Sequence, residues 1–133
     1  MAEKKHQLLK VSLLLYAIGM LGYGVIYLFF PEWEIESSGS VAFPVGWIRW
    51  VGAFFIAIGI GSFMAFRNPE KQGIFVTTLC ILTFLNGLIL IYTVLFEYEE
   101  MGNMLRSLIP AIIILIMSLL FFISLKKSKE ILW

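Results

Sequence analysis

The sequence predicts an all-α membrane protein, a four-transmembrane-helix antiparallel bundle formed as one domain by residues 1–133. Three observations carry that reading. Hydrophobic residues make up 60% of the chain and charged residues only 14%, with a mean hydropathy of +0.92, against about 45–50% and 25% in soluble domains. Four apolar segments exceed the roughly 17 residues needed to cross a hydrocarbon core about 30 Å thick. Basic and acidic residues alternate from one polar segment to the next, as repeated membrane crossing demands.

The first span is expected at about 8–30. Lys4, Lys5 and Lys10 resemble the basic start of a signal peptide, but the apolar run is 23 residues long and ends in Pro31-Glu32-Trp33. A cleaved segment has a shorter apolar core and small residues at its end, so this span is read as retained. Proline cannot continue a helix, and a sixteen-residue loop, Pro31–Gly46, is expected to follow, with Glu32, Glu34, Glu36 and the turn-like Ser37-Ser38-Gly39-Ser40. The second span, about 47–66, ends at Arg67-Asn68-Pro69, a helix stop signal. A link of about six residues makes the second and third spans antiparallel neighbours by expectation. The third span is placed at about 73–96, before Glu97, Glu99 and Glu100. The fourth is placed at about 107–125, before Lys126, Lys127 and Lys129. Ser107 as cap would put Pro110 in the first turn, where its missing N–H costs no helical bond. A helix starting earlier, near Asn103, with Pro110 inside it, is the alternative.

Lysine and arginine set orientation. The N-terminal tail carries three, the middle link Arg67 and Lys71, and the C-terminal tail three, while the first and third loops hold six glutamates and only Arg106. Both termini are therefore expected on the cytoplasmic side. Trp33, Phe43, Trp47 and Trp50 would form an aromatic belt at the outer interface, with Trp133 at the inner one.

Helical periodicity sorts the faces. Ser12, Tyr16, Gly19, Tyr23 and Tyr27 form one stripe on span one, and Arg49, Gly52, Ile56, Gly59 and Phe63 one on span two. Span three groups Thr83, Asn86, Thr93 and Glu97; span four offers Ser107, Ala111 and Ser118. Small residues permit close helix approach, and polar side chains bond across the interface. Cys80 reads as a small buried hydrophobe.

Arg49 stands out, because a charge in an apolar helix costs about 2.5–3.5 kcal/mol at the membrane centre and less toward the interface. It lies shallow, level with Tyr27, Thr93 and Glu97. An Arg49–Glu97 ion pair is expected, or one with a first-loop glutamate, with Tyr27 as hydrogen-bond neighbour; the alternative is a lone Arg49 snorkelling to headgroups. Asn86, deeper, needs a partner such as Tyr23 or Tyr16. The candidate ligand-binding set is therefore Arg49, Glu97, Tyr27, Thr93, Asn86 and Tyr23.

Much chemistry has no residues to carry it. The chain has one cysteine, one histidine and no aspartate. It has no phosphate loop, no H-E-x-x-H metal motif and no means of assembling a Ser–His–Asp set. No enzyme activity, metal or cofactor is expected, and a net charge of +1 gives no reason to invoke nucleic acid.

The run W-I-R-W-V-G-A-F-F-I-A-I-G-I-G, preceded by L-F-F-P-E-W and followed by A-F-R-N-P-E-K, resembles the small DoxX-like bacterial four-helix membrane proteins. The resemblance rests on Pro31, Arg49, Gly52, Gly59 and Arg67 and covers about half the chain; the third and fourth spans do not share it. It implies a four-helix bundle in the bacterial cytoplasmic membrane and no established activity. The expected function is that of a non-enzymatic accessory or lipid-binding protein. A polar pocket in its outer half, capped by the first loop, would hold a lipid headgroup or small amphiphile, and because four short helices enclose little volume a homo-oligomer or a partner membrane protein is expected. The alternative is a small oligomeric transporter or channel.

Overall fold

The computed structural model describes residues 6–38, 45–96 and 101–133. Six helices account for nearly all of them: α1 Gln7–Phe29, α2 Pro31–Ser38, α3 Val45–Arg67, α4 Gly73–Phe96, α5 Met101–Lys127 and α6 Lys129–Leu132. No strand occurs among the described residues. The apolar stretches become helices because hydrocarbon offers no partner for backbone N–H and C=O groups, which a helix pairs internally. Four helices are long and apolar enough to cross a membrane: Gln7–Phe29, Val45–Arg67, Gly73–Phe96 and the Ser107–Lys127 part of α5. At about 1.5 Å per residue the 23-residue α1 is about 34 Å long. The chain is an all-α integral membrane protein with four membrane-length helices.

Two of the expected boundaries are corrected. The first half of the loop after span one is a helix, α2. Proline cannot sit inside a helix without losing a bond, but it is well suited to the first helical position. Pro31 opens α2, its ring is buried, and the Phe30 carbonyl accepts the first bond from the Glu34 N–H at 3.2 Å. The helix that carries span four begins earlier than a Ser107 cap allows, as the alternative start near Asn103 expects, while its membrane-length part runs Ser107–Lys127. The helix starts at Met101 with Pro110 inside it; proline's fixed φ is itself helical, but the helix gives up the bond that the Arg106 carbonyl would have accepted and must make room for the ring there.

The chain divides into two compact units, Leu13–Asn68 and Met1–Ser12 with Pro69–Trp133. In the first, α1 and α3 run antiparallel and touch through glycines. A Cβ on Gly52 would lie 2.8 Å from the Leu28 nitrogen, one on Gly24 2.6 Å from the Ile56 side chain, and one on Gly59 2.8 Å from Leu21. Residue numbers fall along α1 as they rise along α3. These are backbone-to-backbone approaches of the kind small residues permit.

The buried line differs in part from the polar stripe expected on each span. On α1, Ser12 and Tyr16 are buried as expected, together with Leu13, Ala17, Met20 and Gly24, but Gly19 and Tyr23 are exposed. On α3, Gly52 and Gly59 are buried, but Ser62 and Ala65 continue the line and Phe63 is 42% exposed. A phenyl group at that depth would prop the helices apart, so the smaller Ser62 turns inward.

In the second unit α4 packs on α5. Val76, Leu79, Thr83, Gly87 and Val94 form its buried line, and a Cβ on Gly87 would meet the Leu115 side chain at 2.5 Å. Ser118 and Cys80 clasp across this contact. The Ser118 hydroxyl donates to the Cys80 carbonyl at 3.2 Å and the Cys80 thiol to the Ser118 carbonyl at 3.6 Å. Four other hydroxyls stay within their own helix, donating one turn back: Ser12 to Leu8, Thr77 to Gly73, Thr78 to Ile74 and Thr83 to Leu79, at 2.7–2.9 Å. Such local bonds satisfy a polar group without a neighbouring helix.

The C-terminal tail folds back in the same unit. The Lys71 N–H donates to the Ile131 carbonyl at 2.8 Å, Leu132 is buried, and the Trp133 ring covers Gly73, where a Cβ would lie 2.6 Å from it. Lys71 takes a left-handed conformation, φ 57°, to make the turn.

Candidate functional site

The register of α1 against α3 positions the site. Leu28 faces Gly52; one helical turn outward on α3 is Arg49, and four residues beyond Leu28 is Glu32. Because α2 starts at once after Phe30, Glu32 is held at that level in a helical first turn. Arg49 Nη2 lies 3.5 Å from Glu32 Oε1, and the two side chains are 54% and 61% exposed. This is a single long contact between solvated groups, worth at most about 1 kcal/mol. Among the described residues it leaves most of the guanidinium donors and the second carboxylate oxygen available.

Local helix electrostatics fit this pairing. Arg49 stands near the N-terminus of α3, where a cation is opposed by the helix dipole, while Glu32 and Glu34 stand in the first turn of α2, where an anion is favoured. Glu32 supplies the negative charge that the start of α3 lacks. Glu34 and Glu36 lie on the same short helix, so this end carries three carboxylates and one guanidinium among the described residues.

Several aromatic rings lie at the same end of these helices. Trp33, Trp47 and Trp50 are exposed. Trp47, Trp50 and Phe54 stack edge to face along α3, with centroids 5.5 and 4.9 Å apart. Their spacing places them round the helix from Arg49. Indole rings in such a position suit the headgroup level of a bilayer. Beneath the pair, Tyr27 packs on Phe55 at 5.5 Å, with Tyr23 edge-on to it at 6.1 Å.

No family model matches the chain, and no curated protein or solved structure matches it. What the site can do is therefore read from its own residues.

Of the six residues expected to form a pocket, Arg49, Tyr23 and Tyr27 belong to the Leu13–Asn68 unit, and Tyr23 is 41% exposed. Thr93 and Asn86 are half-buried on α4 in the other unit. Glu97 lies outside the described residues. The carboxylate beside Arg49 is a first-loop glutamate, Glu32. Its identity among Glu32, Glu34 and Glu36 depends on Pro31 starting a helix and on Gly52 facing Leu28. Proline as a helix opener was a usable signal; the register required knowing which glycines make contact.

Proposed function

We propose that this integral membrane protein is non-enzymatic and binds a lipid headgroup or small amphiphile at the Arg49 end of α1–α3, with that end at the outer face of a bacterial cytoplasmic membrane. The observation that carries the reading is the half-exposed Arg49–Glu32 pair at one end of an apolar helix pair, with exposed tryptophans at the same end. A guanidinium with free donors beside a bilayer surface is suited to phosphate oxygens, which it can bind through two parallel bonds. The basic residues of the two tails and the Arg67–Lys71 link support the orientation, and the DoxX-like pattern around Arg49 supports the bacterial setting.

Native mass spectrometry of protein extracted in mild detergent tests this. Phospholipid is expected to stay bound to the wild type and to be reduced in Arg49→Ala with folding intact by circular dichroism. Equal retention by both would refute the site. Solute flux in liposomes that disappears in Arg49→Ala would replace binding with transport.

A further inference from the structure

We infer that the Arg49–Glu32 pair selects a headgroup carrying both a phosphate and a primary ammonium, the phosphoethanolamine class. This rests on the reading of Arg49 as a headgroup site and adds to it which headgroup.

The pair presents one positive and one negative group side by side, 3.5 Å apart and both more than half exposed. A phosphate and an ammonium joined by a two-carbon bridge present the same two charges in the opposite sense. Laid on the pair, phosphate oxygens accept from the Arg49 guanidinium while the ammonium donates to the Glu32 carboxylate. Each protein charge keeps an opposite neighbour throughout, so binding strands neither group, and charge-assisted bonds replace one long contact.

The surrounding charge decides against an anionic headgroup. Glu32 and the exposed Glu36 both lie on the short helix α2 beside Arg49, and a ligand with net negative charge meets those carboxylates without an ammonium to offset them. The ring geometry decides against a quaternary ammonium. Such a group has no N–H to give a carboxylate and is held by the faces of several aromatic rings around a common point. Trp47, Trp50 and Phe54 instead stack edge to face on one another along one side of α3 and do not face a common point.

The test uses the full-length protein in detergent, offered equal amounts of phosphatidylethanolamine, phosphatidylcholine and phosphatidylglycerol, with bound lipid read by native mass spectrometry. The wild type is expected to retain phosphatidylethanolamine over the other two by about two- to fivefold, the size of one exposed charge interaction. Glu32→Gln is expected to retain less phosphatidylethanolamine and to lose the preference over phosphatidylglycerol. Arg49→Ala is expected to retain less lipid of every class, by a similar factor of about two- to fivefold. A wild-type preference for phosphatidylglycerol or phosphatidylcholine, or a Glu32→Gln variant that selects as the wild type does, overturns the inference while leaving the headgroup site in place. Retention indifferent to Arg49→Ala removes the site itself. Added O-phosphoethanolamine distinguishes the source: displacement of bound lipid at equal concentration assigns the site to a free amine phosphate, and failure to displace assigns it to the lipid.

Discussion

Gly52→Ala places a methyl group where α1 leaves no room. The new Cβ would sit 2.8 Å from the Leu28 nitrogen, 2.9 Å from Tyr27 Cβ and 3.1 Å from the Gly24 oxygen. Comfortable contacts of this kind lie at about 3.5–4.0 Å, so α1 and α3 must separate by roughly half to one ångström. None of the three atoms is the end of a flexible side chain, so no rotamer change relieves the clash. Separation on that scale forfeits a quarter to a half of the dispersion energy of each neighbouring contact, and overpacking of this sort costs about 1–3 kcal/mol. Gly24→Ala strikes the same contact from the other side, and the double variant should cost less than the two single costs combined, since the residues share one contact. Gly19→Ala is the control: nothing lies within 4 Å of its added Cβ, and a change below about 0.5 kcal/mol is expected of such an exposed site. Unfolding in mixed detergent and dodecyl sulfate, followed by circular dichroism, measures all four. A neutral Gly52→Ala, or a Gly19→Ala as costly as it, would refute the packing of α1 on α3.

Other perturbations separate the remaining contacts. Lys71→Gly relieves a left-handed backbone at φ 57° and is expected to stabilise by up to about 1 kcal/mol after the added flexibility of glycine is counted; the same unfolding assay checks it. Removing Leu132 and Trp133 strips the buried leucine and the ring over Gly73 and should lower stability by about 2 kcal/mol, close to the burial of one large side chain. Ser118→Ala breaks the cross-helix bond to the Cys80 carbonyl and should cost about 0.5–1 kcal/mol. Ser62→Ala should be neutral, because the buried Ser62 hydroxyl has no partner among the described residues.

The fold was largely legible because one signal dominates: hydrocarbon forces long apolar segments into helices, and length and composition reveal them. The local departures follow from geometry that composition does not encode. Pro31 reads as a stop from the side of α1 and as a start from the side of α2. Pro110 fits both a first turn after a Ser107 cap and the interior of a longer helix, and α5 takes the second. Nothing in the sequence of the last seven residues announces that Ile131 would accept from Lys71. The site was legible in part. Arg49 was conspicuous as a charge in an apolar run, and a first-loop glutamate was among its expected partners. The polar stripes were a weaker guide because hydroxyls such as Thr83 bond within their own helix and so need no facing partner, while Gly24, without polarity, makes the close approach.

A density map of the protein embedded in phosphatidylethanolamine, at a resolution that shows side chains, tests the Arg49 site most directly. The expected map has a headgroup phosphate against the Arg49 guanidinium and its amine against Glu32. A map in which Arg49 points away from Glu32 into bulk solvent, with no headgroup ordered between the two, would contradict it.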